Sequence, residues 1–221
     1  MSFSLIHRVQ QAEGPRPPLL LLLHGVGSHE DDLFGLAPWL DARYTIVSPR
    51  APLKHGGGWG WYPIAFLEDG LEFDEEIAFE SAQTLELFIL ECHKAYGTDP
   101  ARTVLMGFSQ GAAMALLLLL TRPECLSSAV LMSGRLIPEA AERAAHYMEL
   151  VGKPVFVAHG LYDSVLPIDQ GRAIQAELKR YPVLMTYKEY PMGHEVSPQS
   201  IADVQKFLTE VLDNPTSNQR P

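Results

Sequence analysis

Five residues near the middle of the chain, Gly107-Phe108-Ser109-Gln110-Gly111, restrict its fold more than any other stretch. They stand between an apolar run with strand character, Thr103–Met106, and a run from Gln110 to Thr121 that reads as a helix and is stopped by Pro123. A chain that passes from strand to helix in so few residues must turn sharply, and a serine at the apex takes a strained backbone conformation. Side chains two residues to either side would collide across the turn, which accounts for glycine at 107 and 111. The turn lifts the Ser109 hydroxyl above the sheet edge and leaves the first N–H groups of a helix beside it, where they suit an oxyanion. The flanking elements set this arrangement apart from an ordinary Gly-rich turn.

The rest of the chain repeats the same alternation. Short apolar runs at Leu19–Leu23, Tyr44–Ser48, Ala129–Met132, Pro154–Ala158 and Leu184–Tyr190 read as strands, with a further edge strand over Ser4–Val9. Most lack polar alternation, as parallel strands covered on both faces do. Helices are expected over Asp74–Tyr96, with Asp74 as N-cap and Gly97 in the left-handed position after the last turn, and over Pro167–Arg180 and Pro198–Leu212. Residues 50–73, rich in Gly, Pro and aromatics, read as irregular. The pattern predicts one α/β domain over 1–213, with a polar, disordered tail over 214–221.

Composition narrows the function. Of the 221 residues, 47% are hydrophobic and 20% charged, as in a globular protein, and the net charge of -10 argues against nucleic acid or an anionic membrane as partner. The 2 cysteines, Cys92 and Cys125, show no disulfide or metal-ligand spacing. The N-terminus lacks a signal core, and the leucine runs are far shorter than the ~20 residues that cross a bilayer. A cytoplasmic protein without metal or stable membrane insertion is expected.

A serine hydroxyl needs a base. His194, in the loop Pro191-Met192-Gly193-His194 after the last strand, has the right address, while His7, His29, His55, His93 and His146 read as exposed or helix-surface residues. Asp163, in His159-Gly160-Leu161-Tyr162-Asp163 after strand Pro154–Ala158, would orient the imidazole. Asp169 competes but falls inside the next helix, and His159 reads as structural. The order Ser109, Asp163, His194 is that of α/β-hydrolases. His24-Gly25-Val26-Gly27 closes the first strong strand, so the backbone N–H groups of Val26 and Gln110 are the expected oxyanion donors, with His24 bracing the loop.

With these residues, the chain resembles the bacterial carboxylesterase/phospholipase family that also includes acyl-protein thioesterases. The motifs that carry it are His24-Gly25-Val26-Gly27, Gly107 to Gly111, His159 to Asp163 and Glu189-Tyr190-Pro191-Met192-Gly193-His194-Glu195. The resemblance implies a compact α/β-hydrolase fold, a mostly parallel central sheet flanked by helices with no large lid domain, no cofactor, and often a homodimer. Two departures bear on substrate. Ser28-His29-Glu30 stands where thioesterases often carry an acidic residue directly after the glycine, and Arg135 follows strand Ala129–Met132. Arg135 reads as a surface cation, with a substrate carboxylate as the alternative.

Trp61, Trp59 and Phe108 are the candidates for the substrate pocket, Trp61 foremost. The plainer readings are tryptophans that pin their loop to the core and a Phe108 packed below the site. The expected activity is hydrolysis of short- to medium-chain esters, a small-molecule substrate class, through an acyl-enzyme. An acyl-protein thioesterase or lysophospholipase is the alternative within the same chemistry, and a non-catalytic ligand receptor the alternative outside it.

Overall fold

In the computed structural model, which describes residues 3–67 and 70–214, the apolar runs become the central sheet. In chain order the elements are β1 His7–Gln10, β2 Pro18–Leu23, β3 Thr45–Pro49, β4 Leu53–His55, β5 Gly58–Gly60, β6 Ile64–Leu67, β7 Gly70–Phe73, α1 Glu75–Tyr96, β8 Asp99–Phe108, α2 Gln110–Thr121, β9 Ser128–Met132, α3 Pro138–Glu142, β10 Pro154–Gly160, α4 Ile168–Leu178, β11 Leu184–Tyr190 and α5 Pro198–Asp213. Seven strands form one sheet in the order β1-β3-β2-β8-β9-β10-β11, parallel throughout except for the antiparallel edge strand β1. It is a compact α/β-hydrolase fold with no large lid among the described residues. Of the expected tail, residues 215–221 lie outside the described residues.

The unbroken leucines of β2 have a simple cause. Leu19, Leu21 and Leu23 point to the face covered by α1, α2 and α4, while Leu20 and Leu22 point to the face covered by α5 and a short 3-10 helix at Leu33–Trp39. Both faces are dry, so no position tolerates a polar side chain. Helix α2 is enclosed further: every residue from Gln110 to Thr121 is buried, which explains a helix with no polar face. The ends of α1 are as read from sequence. Asp74 accepts a hydrogen bond from Ile77 N at 3.1 Å, and Gly97 takes φ 64°.

Three expectations need correction. Residues 50–73 are not irregular: they form two antiparallel hairpins, β4–β5 and β6–β7, because backbone pairing holds segments too short and too Gly-rich to show strand periodicity. Gly58 is required there by close approach, since a Cβ would lie 2.0 Å from Gly27 O. His7 and His93 are half-buried rather than exposed. His7 Nε2 pairs with the Tyr96 hydroxyl at 2.5 Å, and His93 Nδ1 with Thr98 Oγ1 at 2.7 Å. Burial pushes the His93 pKa down. Helix α3 has no counterpart in the expected elements.

The strand order places the site. From β2 the chain passes to β3 on one side, and later elements return to β8 on the other, so β2 and β8 flank a topological switch point. Ligands in open parallel sheets bind beyond the carboxyl ends of the strands there. Those ends carry His24-Gly25-Val26-Gly27 and Ser109.

Candidate active site

Ser109 sits at the apex between β8 and α2 with φ 55° and ψ -117°, a conformation that L residues avoid. Its N–H donates to Met132 O at 2.9 Å, which ties the turn to the end of β9. Its Oγ lies 3.0 Å from His194 Nε2. On the far side of the ring, His194 Nδ1 lies 2.7 Å from Asp163 Oδ2. The Asp163 side chain is fully buried, and its Oδ1 accepts from Val165 N at 3.0 Å and Leu166 N at 2.8 Å. A carboxylate held at both oxygens fixes the imidazole edge that faces Ser109.

The two loops that carry the pair are stitched together. Leu161 N donates to Tyr190 O at 2.8 Å and Tyr162 N to Met192 O at 3.0 Å, so Asp163 and His194 are held in register with the sheet. Asp169, the competing acid, is in the first turn of α4 with its side chain 85% exposed and does not approach His194. His159 is fully buried and its Nε2 donates to Leu166 O at 2.8 Å, a contact that shapes the Asp163 loop.

Beside the serine, His24 is fully buried and spans its loop: Nδ1 donates to Gly25 O at 2.7 Å and Nε2 accepts from Ala51 N at 3.0 Å. The Val26 N–H has no acceptor among the described residues. The Gln110 N–H belongs to the first turn of α2, whose amides lack intrahelical acceptors. The Gln110 side chain does something the sequence reading missed. Its Oε1 accepts from Trp61 N at 2.8 Å and its Nε2 donates to Tyr62 O at 2.7 Å, clamping the aromatic segment onto the elbow.

A second brace was also missed. Glu30, 3% exposed, accepts from Arg50 Nε at 2.6 Å and Nη2 at 2.5 Å, and the Arg50 guanidinium lies 4.9 Å from the centre of the Trp59 ring. Trp59 in turn accepts from Gly27 N at 2.7 Å and donates to Ser28 O at 2.8 Å. Spacing alone offered no signal, because 20 residues separate the partners. The hydrogen bonds from Arg50 hold the Glu30 carboxyl down at about 2. A depressed folded-state pKa adds stability that is complete above the free carboxyl value of about 4.3 and is lost as pH falls through the folded value. Glu30→Gln is therefore expected to melt at a lower temperature than wild type at pH 7. The gap should close between about pH 4.5 and pH 2. Paired thermal melts across that range check it, and a gap that stays constant with pH would remove the ion pair as its cause.

A cleft of about 240 Å³ opens over these groups. Val26, Phe108, Ser109, Gln110 and His194 line it together with Tyr62, Ile64, Val165 and Leu166 and the polar Ser28, Asp32 and Arg135. Of the expected pocket residues only Phe108 lines it, its ring centre 4.9 Å from that of His194. Trp61 is fully buried and donates from Nε1 to His24 O at 2.9 Å, and Ser81 Oγ donates to its carbonyl. Trp59 is half-buried behind the loop at 24–28. Neither tryptophan lines the cleft: Trp61 is held by its hydrogen bond to His24 O, and Trp59 by its backbone pairing with Gly27 and Ser28 and by the Arg50 guanidinium. Arg135, expected as a surface cation, is half-buried in the cleft wall.

A profile of the phospholipase/carboxylesterase family matches residues 5–212. The chain belongs to this family. Acyl-protein thioesterase 1 of Kluyveromyces lactis is 30% identical over 222 residues, covering 93% of this chain and 96% of the relative. Among solved structures, the Bacillus cereus carboxylesterase superposes with TM-score 0.83 at 27% identity, covering 93% of this chain and 94% of the other. Esterase PE8 does so with TM-score 0.81 at 27% identity over 94% and 99%. This member of the phospholipase/carboxylesterase family is accordingly a serine hydrolase of the carboxylesterase and thioesterase type. No helix among the described residues is long and apolar enough to cross a membrane.

Proposed function

We propose that this hydrolase cleaves carboxylic esters of short to medium acyl chains through an acyl-enzyme on Ser109. One observation carries the reading: a single imidazole, His194, bridges the Ser109 hydroxyl at 3.0 Å and the buried Asp163 carboxylate at 2.7 Å. His194 Nε2 takes the hydroxyl proton as Ser109 Oγ attacks the carbonyl carbon, and Asp163 stabilises the imidazolium that results. The carbonyl oxygen, now negative, takes hydrogen bonds from the Val26 and Gln110 N–H groups. His194 then returns the proton to the leaving alkoxide, which frees the alcohol and leaves Ser109 acylated. Water, deprotonated by His194, attacks the acyl carbon; the acid leaves and Ser109 is regenerated.

The thioester reading is supported by the 30% identity to a yeast acyl-protein thioesterase. The dimensions of the cleft favour the shorter esters. Each buried methylene contributes at most ~0.8 kcal/mol, about a fourfold gain per carbon, until the chain outgrows a cleft of about 240 Å³.

A series of 4-nitrophenyl esters from acetyl to palmitoyl, run beside palmitoyl thioester, is expected to show kcat/KM rising to a maximum at short or medium chains and falling at palmitoyl. Ile64→Ala should move the maximum to longer chains. Trp61→Ala should leave it in place and instead destabilise the fold by about 3–5 kcal/mol, since its indole is core. A steady rise to palmitoyl, or a strong preference for the thioester, would hand the site to the thioesterase reading.

A further inference from the structure

The cleft wall holds one cation that the mechanism above does not use. Arg135 follows β9, the strand beside the elbow, and is the only lysine or arginine among the described residues that line the cleft. Its guanidinium lies over the Phe73 ring, 4.2 Å from the centroid. Its Nε is buried without a hydrogen-bond partner, and no carboxylate of a described residue pairs with it. Arg50, also partly buried, makes a two-pronged ion pair with Glu30. Burial pulls the Arg135 pKa down from its ordinary value, against smaller opposite effects of Tyr62 and Glu75. The guanidinium nonetheless keeps its charge at neutral pH. A half-buried guanidinium that no described carboxylate pairs with gains from a carboxylate supplied by a ligand.

We propose that Arg135 recognises a carboxylate carried by the substrate at a distance from the scissile ester, so that the preferred substrates are carboxylated esters such as half-esters of dicarboxylic acids. The planar fork of an arginine matches the two oxygens of a carboxylate. A single arginine compensates a single negative charge. Asp32 lines the same cleft and the protein carries a net charge of -10, which disfavours a dianion such as a phosphate monoester. The stack on Phe73 holds the guanidinium plane without consuming its terminal N–H groups. The inference rests on Ser109 being the nucleophile, and the test separates the two.

Two matched pairs of esters place the charge on either side of the bond. They are 4-nitrophenyl hydrogen adipate against its methyl ester, and the butyryl ester of 4-hydroxybenzoate against that of methyl 4-hydroxybenzoate. In Arg135→Met, which keeps the apolar stem over Phe73, kcat/KM for the charged member of at least one pair is expected to fall about 10- to 100-fold, with the neutral member within about threefold. Arg135→Lys should recover part of the loss, and salt should slow wild type on the charged member alone. The neutral member reports folding and the hydrolase reading together. If neutral esters turn over and neither charged member depends on Arg135, the inference is overturned while the hydrolase stands. If no ester is cleaved, the hydrolase reading fails, and binding of monomethyl adipate by calorimetry decides. At least tenfold weaker binding to Arg135→Met supports the carboxylate site, and equal binding overturns it.

Discussion

Ser109→Ala is expected to lower kcat by about 10⁴- to 10⁶-fold while leaving the melting temperature within a few degrees of wild type. In the proposed mechanism the side chain carries the attacking oxygen, and its removal takes away only the contact of Oγ with His194 Nε2 at 3.0 Å. The backbone tie of Ser109 N to Met132 O is kept. His194→Ala should cost nearly as much, since serine and base act as a unit, and Asp163→Asn somewhat less. A fluorophosphonate probe should label wild type once and Ser109→Ala not at all. Esterase activity that survives Ser109→Ala would exclude this triad.

Gly111→Ala is expected to give no soluble folded protein. A Cβ at 111 would stand 1.9 Å from Leu23 O and 2.4 Å from Leu23 C, both backbone atoms of β2 in the middle of the sheet. Nothing flexible can yield, so α2 would have to lift from the strand it packs against. Gly107 is under the same constraint: its Cβ would come 2.3 Å from Gly111 C. Overpacking against side chains already costs ~1–3 kcal/mol, and against backbone it should exceed that, in a fold whose total stability is of order 5–15 kcal/mol. Gly35→Ala is the control, because a Cβ there meets nothing within 4 Å. Soluble yield and circular-dichroism melts of the two variants check this. A Gly111→Ala protein melting near wild type would mean that the elbow is not as tight as described.

Much of the frame was legible in the chain itself. The turn at 107–111 and the dry strands are local patterns, set by backbone sterics and by burial on both faces of a sheet. Each is read from residues close in sequence, so β11 and α2 came out with the expected bounds. The short hairpins at 53–60 and 64–73 did not, because three- and four-residue strands carry too little periodicity to register.

What only the tertiary structure decided is which side chains face the cleft. Trp61 and Arg135 have the same local ambiguity in sequence: each follows a glycine and could point in or out. Folding buries Trp61 under His24 and brings Phe73, 62 residues away, beneath Arg135. Likewise Glu30 meets Arg50, and Gln110 meets the backbone of Trp61 and Tyr62, only once the β4–β5 hairpin closes over the loop at 24–28. Chemistry that depends on residue type and strand order is written locally. The shape and charge of the pocket depend on contacts between segments distant in the chain, which no local pattern encodes.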